Sequence, residues 1–182
     1  MASPGRRNER PILVVVDLQN DFVQSETAHL PGIVEGLTGL YPAVIATRFL
    51  NHPGSLFETE VDCYKCQRGS PGAELAFRSR APTTVIDKTG YGLIGSLDET
   101  RRALERAGIA PGDEVHLCGV DTDACVLKVA LDLFDMGYRP RILLDACASG
   151  NGADYHERAI EIFTRQLGGK AILRVATKPA TG

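Results

Sequence analysis

Short apolar runs recur along the chain, separated by polar or glycine-containing stretches. Each run spans five to seven residues and is rich in β-branched side chains. Nearly continuous apolarity over that length is typical of strands buried on both faces, as in a parallel sheet. The predicted strands are residues 11–17, 43–49, 83–88, 114–120, 141–147 and 171–175.

Helical patterns lie between several of these runs. In the first of them, Ser96 followed by Glu99 has the form of a capping box. Strands that alternate with helices predict an α/β fold, a doubly wound, Rossmann-like parallel sheet of about six strands flanked by helices. The predicted helices are residues 96–108, 122–136 and 153–167.

The segment from Asn51 to Arg80 breaks this alternation. It carries Pro and Gly and shows little periodicity, so we predict a long irregular excursion with one short helix from Gly72 to Arg80. The chain of 182 residues is long enough for one substantial core. We assign the single domain to residues 11–178, after a polar and flexible N-terminus at 1–10.

The composition of the chain excludes some classes of binding partner and favours one cellular location. Hydrophobic residues make up 43% and charged residues 24%, as in ordinary soluble proteins, and the net charge is -3. That balance predicts no nucleic-acid partner and no binding to an anionic membrane. The apolar run at 12–16 is too short to be a signal-peptide core or a membrane span. Five cysteines without a secretory signal favour a reducing compartment, so we predict a cytoplasmic protein.

Three reactive side chains stand at the carboxyl ends of predicted strands, where ligands bind in such sheets. Asp17 ends the first strand, Lys88 ends the third, and Cys125 follows the fourth, in the third position of a helix with Thr122 as its N-cap. The backbone N–H groups and the dipole of that helix would favour a thiolate. A base held between a cation and a thiol can stay ionised and accept the thiol proton.

Each of the three residues also has a simpler interpretation. Cys125 could be a small hydrophobic residue in the core, since buried cysteines commonly are. Asp17 could cap a helix or stand at a solvated strand end. Lys88 could be a surface lysine paired with its neighbour Asp87. The functional hypothesis therefore depends on the three occurring together.

Four motifs carry a resemblance to a known family. The segments "VVVDLQNDF", "RGSPGAEL" (68–75), "VIDKTGYG" and "LCGVDTDACV" occur in the order and at the spacing found in the isochorismatase-like cysteine hydrolase family. The similarity covers roughly residues 11 to 175. It implies a parallel sheet flanked by helices and a catalytic triad of Asp17, Lys88 and Cys125.

The resemblance also implies a mechanism of acyl transfer. Asp17 would take the thiol proton, Cys125 would attack a carbonyl carbon, and Lys88 would hold Asp17 in place. In the family a cis peptide bond precedes the residue that matches Asp121. The backbone N–H groups of Asp121 and Cys125 would then form the oxyanion hole.

Two departures from related enzymes narrow the expected reaction. Nicotinamidases of the superfamily bind a metal after the second strand in a pattern like T-Q-D-W-H, where this chain has "TRFLN". Phe49 and Asn51 replace the ligands, and His52 alone is not a site, so we expect no metal and no cofactor. True isochorismatases usually lack the nucleophilic cysteine. Cys125 therefore favours hydrolysis of a C–N bond in a small amide, carbamoyl or ureido compound.

Two other functions stay open. The chain could be a catalytically idle binding protein on the same fold, or an ether hydrolase of the isochorismatase type. The lysine motif "KTGYGLI" keeps Tyr91 but continues with Gly92 and Leu93 where the family often has K-x-x-Y-S-x-F. We expect a differently shaped pocket for a small-molecule substrate.

Four side chains are candidates for the pocket wall, although plain packing or surface placement would explain each equally well. Arg48 is the most informative, because a guanidinium could clamp a substrate carboxylate. The candidate substrate-binding residues are Phe22, Arg48, Asn51 and Tyr91.

The remaining cysteines and histidines give weaker signals. Cys63 and Cys66 form "CYKC", which lacks the further ligands of a zinc site, so coincidence or a subunit contact is the better interpretation. Cys118 and Cys147 are predicted in the core. The histidines at 29, 116 and 156 are predicted to be structural. The apolar helix 122–136, together with the oligomers common in the family, predicts a homo-oligomer.

Overall fold

The computed structural model describes residues 10–174, in which six strands form one parallel sheet. Every neighbouring pair is parallel, in the order β3-β2-β1-β4-β5-β6, so the predicted α/β fold is confirmed. The strands are β1 (Ile12–Val16), β2 (Val44–Phe49), β3 (Thr83–Lys88), β4 (Glu114–Gly119), β5 (Arg139–Cys147) and β6 (Ile172–Leu173).

Helices connect these strands and cover the sheet. Helix α1 was not predicted, because its sequence contains Pro and two glycines, yet it buries Leu30, Val34 and Leu37. The α-helices are α1 (Leu30–Thr38), α2 (Leu56–Thr59), α3 (Leu97–Arg106), α4 (Leu127–Asp135) and α5 (Ala153–Leu167).

Two local predictions were wrong. The predicted helix from Gly72 to Arg80 is only a 3-10 turn at Pro71–Ala73. The backbone beyond it is irregular, with bends around a single antiparallel bridge between Leu75 and Gln19. The capping box also fails, since the Ser96 hydroxyl donates to the carbonyl of Leu93 and caps nothing.

Burial of the strands follows their position in the sheet. All five residues of β1, the central strand, are buried, as the apolar pattern predicts. Strand β3 lies at the sheet edge, and its burial alternates, with Ile86 and Lys88 inside and Asp87 exposed. Two-sided burial was therefore a wrong prediction for β3, since an edge strand has a neighbour on one side only.

The strand order reverses direction between β1 and β4. From β1 the chain builds outward through β2 and β3, and then returns to place β4, β5 and β6 on the other side. Such a reversal opens a crevice beyond the carboxyl ends of the two central strands. Gly119 ends β4 there with φ of 120°, and a Cβ at this position would overlap the carbonyl oxygen of Val16. Glycine thus permits the close approach of β4 to β1.

Parts of the predicted boundaries lie outside the described residues: the N-terminal segment 1–10 apart from Arg10, residue 175 of the last predicted strand, and the domain end at 175–178. Across residues 10–174, every helix is too short or too polar to cross a bilayer.

Candidate active site

The three candidate catalytic side chains meet in the crevice between β1 and β4. Lys88 Nζ lies 2.6 Å from Asp17 Oδ2 and 3.7 Å from Cys125 Sγ. Asp17 directly follows β1, Cys125 lies in the turn after β4, and Lys88 reaches in from the end of β3. The Asp17 and Lys88 side chains are 0% and 1% exposed, so water does not screen their ion pair. We call these three residues the Asp–Lys–Cys cluster.

Asp17 is held from two sides. Its Oδ1 accepts a hydrogen bond from the Thr47 hydroxyl at 2.7 Å, and the same hydroxyl oxygen accepts from the Asp17 N–H at 3.1 Å. Its Oδ2 lies 2.6 Å from the Lys88 ammonium, and a carboxylate oxygen with one such partner has a second lone pair for a further proton. The backbone has φ of 47°, uncommon for a residue other than glycine, and this turns the chain out of β1.

Lys88 is fixed mainly by the loop that follows it. Its ammonium donates to the carbonyl oxygens of Gly90 at 2.7 Å and Tyr91 at 3.1 Å, and it lies 5.6 Å from the ring centroid of Phe49. Burial lowers the pKa of Lys88, but the charges of Asp17 and Cys125 raise it more, and the net direction is upward. Lys88 is therefore a permanent cation, and the interpretation of a surface lysine paired with Asp87 is wrong.

The backbone around Cys125 differs from the prediction. Residues Thr122–Val126 form a π-helical turn, and α4 begins only at Leu127. Asp121, not Thr122, occupies the N-cap position, and the Thr122 hydroxyl instead pairs with His156 Nδ1 at 2.9 Å. Cys125 is therefore not in the first turn of a regular helix.

The pKa of the Cys125 thiol is raised well above its ordinary value. Burial is the main cause, the Asp17 charge raises the pKa further, and Lys88 lowers it only in part. Because Cys125 lies in a π-helical turn, the helix N-terminus that was expected to favour a resting thiolate is not present there. A neutral thiol must lose a proton before it can attack, and the neighbouring Asp17 carboxylate is a group that can accept one.

The predicted cis peptide bond is present between Val120 and Asp121. Across residues 10–174, the backbone N–H groups of Asp121 and Cys125 donate to no acceptor outside the Thr122–Val126 turn. The Asp121 side chain accepts a hydrogen bond from the Gly150 N–H at 2.7 Å, and burial raises its pKa.

A cavity of about 310 Å³ opens beside the Asp–Lys–Cys cluster. Its aromatic wall is a chain of ring contacts, with centroids 6.4 Å apart for Phe22 and Phe49, 4.7 Å for Phe49 and Phe57, and 4.9 Å for Phe57 and Tyr91. The lining residues are Phe22, Gln24, Phe49, Phe57, Val61, Asp62, Cys63, Tyr64, Lys65, Tyr91, Val120, Asp121, Ala124, Cys125, Gly150 and Asn151.

Two of the four predicted wall residues line this cavity, Phe22 and Tyr91, and two do not. The Arg48 guanidinium forms hydrogen bonds of 2.8 Å and 3.2 Å with the two carboxylate oxygens of Asp87 and an ion pair of 3.6 Å with Glu74. Side chains alternate along a strand, so Phe49 faces the cavity while Arg48 points to the other face of β2. The carboxylate clamp assigned to Arg48 is therefore wrong.

Asn51 has a structural role instead of a binding one. It is 1% exposed, donates to the Cys63 carbonyl at 2.8 Å, and accepts from the Ser55 hydroxyl at 2.6 Å. These bonds fasten the irregular segment after β2 to the sheet. Among residues 10–174, no group of three or more His, Cys, Asp and Glu side chains has the arrangement of a metal site.

The irregular segment supplies cavity residues that the sequence analysis missed. Phe57, Cys63 and Lys65 all line the cavity, although "CYKC" was interpreted as coincidence or a subunit contact. No periodic signal marks these positions, because the segment contributes no strand to the sheet, and its bridge between Asn51 and Gln67 is isolated. Asn151 could have been found, since it follows the carboxyl end of β5, where ligands bind.

The departure at Gly92 has a packing explanation. A Cβ on Gly92 would overlap Asp132 Oδ2 and would lie 2.6 Å from Lys128 Cγ. Asp132 Oδ2 accepts a hydrogen bond from the Leu93 N–H at 2.6 Å, and Lys128 pairs with the other oxygen of Asp132. Helix α4 thus holds the loop whose carbonyls bind Lys88, and glycine provides the space.

The other cysteines and histidines behave largely as predicted. Cys118 and Cys147 are buried in β4 and β5, and all five cysteines are free thiols. His116 pairs with the Tyr41 hydroxyl at 2.7 Å, and His156 pairs with Thr122, as structural histidines do. Cys66 is buried, and its N–H donates to Asp21 at 2.6 Å.

The sequence is similar to that of a known protein family over nearly all of the described residues. The isochorismatase domain profile matches residues 11–174, nearly all of the described chain. The chain belongs to the isochorismatase family. A mouse relative, isochorismatase domain-containing protein 2A, is 31% identical over 146 residues, which is 80% of this chain and 63% of the mouse protein. This chain therefore spans less than two thirds of that relative's length.

Two further proteins are similar to this chain along most of their length. The nicotinamidase/pyrazinamidase of Mycobacterium tuberculosis is 30% identical over 176 residues, covering 82% of this chain and 91% of that protein. The crystal structure of N-carbamoylsarcosine amidase from Thermoplasma acidophilum superimposes with a TM-score of 0.73 at 26% identity, over 91% of this chain and 96% of that one.

Proposed function

We propose that this protein is a metal-independent cysteine hydrolase that cleaves a C–N bond of a small amide, carbamoyl or ureido compound through a thioester. The observation that carries the proposal is the buried Asp17–Lys88 ion pair beside Cys125 at one end of a small cavity. Two similar proteins carry the names of amidases, the M. tuberculosis enzyme and N-carbamoylsarcosine amidase, which supports the reaction class.

The first half of the reaction forms the thioester. Asp17 Oδ2 accepts the proton of the Cys125 thiol, and the thiolate sulfur attacks the substrate carbonyl carbon. The oxygen becomes an oxyanion, which the N–H groups of Asp121 and Cys125 stabilise; one such donor is worth about 3 kcal/mol of barrier. The C–N bond then breaks, and Asp17 returns its proton to the leaving nitrogen.

The second half restores the free enzyme. Asp17, again a carboxylate, removes a proton from a water molecule that attacks the thioester carbonyl. The C–S bond breaks, the proton passes back to sulfur, and an acid leaves. Lys88 stays charged throughout, because Gly90, Tyr91 and Asp17 bind its ammonium group, and it keeps Asp17 in position.

The proposal requires no metal. The side chains at the end of β2 do not fit one, since Phe49 packs between Phe22 and Phe57, and Asn51 is occupied by backbone and serine partners. A catalytically idle binding protein would not need a buried carboxylate–ammonium pair beside a thiol. An ether hydrolase would not need Cys125.

A screen for ammonia release from small primary amides, N-carbamoyl compounds and ureido acids tests the reaction. We expect turnover in the wild type and none in Cys125→Ala. During turnover, a mass adduct should appear on the peptide that contains Cys125. Turnover in Cys125→Ala at even a tenth of the wild-type rate would rule out covalent catalysis by this thiol.

Prolonged dialysis against EDTA tests the metal-free site. Activity should survive, and elemental analysis should find well under one metal ion per chain. Loss of activity that zinc or manganese restores would overturn this part of the proposal. The cytoplasmic location and the homo-oligomer remain predictions, which fractionation of cells and light scattering would check.

A further inference from the structure

Two lysines lie against neighbouring rings of the aromatic wall of the cavity. Lys88 Nζ lies 5.6 Å from the ring centroid of Phe49, and Lys65 Nζ lies 5.5 Å from that of Phe22. The two rings are neighbours, with centroids 6.4 Å apart. Lys88 belongs to the Asp–Lys–Cys cluster, so Lys65 lies about one ring away from that cluster, on the surface along which a bound molecule would lie.

The two ammonium groups differ in how they are bound. Lys88 has the Asp17 carboxylate and two carbonyls as partners. Lys65 donates one hydrogen bond, of 3.2 Å, to Gln24 Oε1, and no carboxylate within residues 10–174 forms an ion pair with it. An ammonium group has three donors, so Lys65 can still bind an acceptor in the cavity.

The neighbouring charges limit what Lys65 can bind. Two carboxylates also line the cavity: Asp62, which is exposed, and Asp121, which is already bound by the Gly150 N–H. Both would repel any anion near Lys65, and a doubly charged group such as a phosphate more strongly than a singly charged one. A single ammonium beside them matches a group with one negative charge, and a carboxylate is the commonest such group on small amides.

We propose that Lys65 binds the carboxylate of an anionic substrate, so that the substrate is a small amide, carbamoyl or ureido acid. The proposal rests on the function proposed above and names the substrate class for the same site. The carboxylate would meet Lys65, the body of the molecule would lie on the Phe22–Phe49 wall, and the carbonyl carbon would face Cys125. Arg48 cannot do this, because Asp87 and Glu74 occupy it.

Two alkylating reagents test Lys65 without any knowledge of the substrate. N-iodoacetyl-β-alanine and N-butyl iodoacetamide have nearly the same shape, but only the first carries a carboxylate, and that group is far enough from the reactive carbon to reach Lys65 while the carbon meets Cys125. The rate of modification of Cys125 is measured for each by peptide mass, since Cys63 lines the same cavity. A general change in the reactivity of the Cys125 thiol affects both rates equally, so it cancels in their ratio.

We expect Lys65→Met to lower the ratio of the rate with the carboxylated reagent to the rate with the neutral reagent roughly 10-fold, the lower range for a hydrogen bond to a charged group. Lys65→Arg should retain most of the wild-type ratio. Lys170→Met removes the same charge from an exposed position outside the cavity and should leave the ratio unchanged. An unchanged ratio in Lys65→Met, or an equal fall in Lys170→Met, would overturn the proposal.

Matched substrates extend the test to turnover. For N-carbamoylglycine against the neutral N-propylurea, the ratio of kcat/KM should fall roughly 10- to 100-fold in Lys65→Met, mainly through KM, and recover in part in Lys65→Arg. Turnover of neutral compounds with no preference for carboxylated ones would overturn the role of Lys65 and leave the proposed function standing. If neither set is turned over, the proposed function fails and the substrate class with it.

Discussion

The two ends of the cavity are built in different ways. At the reacting end, Asp17 and Lys88 are buried at strand ends, and backbone or side-chain partners fix each of them. At the other end, lining residues come from the irregular segment after β2, where Val61 and Tyr64 are 54% and 63% exposed. Under the proposed function, the sheet positions the reacting groups and the irregular segment controls what can reach them, as in many α/β enzymes.

The two ends of the cavity also differ in the free-energy cost of replacing a charged side chain. A buried charge without its partner is costly, so the members of the Asp–Lys–Cys cluster depend strongly on one another. Lys65 is only partly buried and has one side-chain acceptor, so its replacement leaves no buried charge behind. We therefore expect changes at the reacting end to abolish the reaction and changes at the wall to alter its specificity.

The largest effects should come from the ion pair itself. Asp17→Asn cannot accept the thiol proton, and turnover should fall about 10²- to 10⁴-fold, the range for general acid–base catalysis. Lys88→Met should cost a comparable factor, because Asp17 loses its positioning cation. The double variant, measured by steady-state turnover, should be little worse than either single variant. Losses that multiply fully would contradict a cluster that acts as one unit.

Alkylation of Cys125 should distinguish the role of Asp17 from that of Lys88. The Asp17 charge raises the pKa of Cys125 and Lys88 lowers it. Below its pKa, a thiol forms more thiolate as the pKa falls, so at mildly alkaline pH Asp17→Asn should react faster with iodoacetamide than the wild type does. Lys88→Met should react more slowly. Both variants lose turnover, yet their alkylation rates should change in opposite directions.

Site-resolved mass spectrometry across a pH series provides the measurement. In the wild type, the alkylation rate of Cys125 should still be rising at pH values where an ordinary exposed thiol is already ionised, because burial raises the pKa of Cys125. Parallel changes in the two variants would mean that packing, and not charge, controls the thiol.

The difference between the two ends of the cavity also explains which site residues the sequence could predict. Asp17, Lys88 and Cys125 each follow an apolar strand, and the rule that parallel strands place their carboxyl ends together brought them to one site. The raised pKa of Cys125 could not be predicted, because it depends on burial by residues distant in sequence. Lys65 and Phe57 were missed because their segment has no periodicity, and Arg48 was misassigned because the face to which it points was unknown.

We expect an intermediate effect, on the free energy of unfolding, from a change at the contact between α4 and the loop whose carbonyls bind Lys88. Gly92→Ala would force Asp132 to shift from the Leu93 N–H and disturb the loop that binds Lys88. Overpacking of this kind typically costs about 1–3 kcal/mol, which should appear in the free energy of unfolding by denaturant titration. Gly90→Ala is the matched control, since a Cβ there meets no atom within 4 Å. Equal losses in both variants would show that the loop responds to any lost glycine.

The smallest effect should come from Arg48, the residue whose position in the sequence made it the first candidate for binding a carboxylate. Its guanidinium lies on the side of β2 away from the cavity and pairs with Asp87 and Glu74, whose side chains are 41% and 62% exposed. Exposed ion pairs of this kind contribute about 1 kcal/mol or less. Arg48→Met should therefore lower the free energy of unfolding by no more than that, and kcat/KM for a carboxylated substrate should stay within about twofold of the wild type. Asp87→Asn, which removes the partner instead, should behave alike. If Arg48→Met instead raised KM for carboxylated substrates while sparing neutral ones, Arg48 would have to leave Asp87 on binding, and the division between a fixed reacting end and a selective loop would no longer hold.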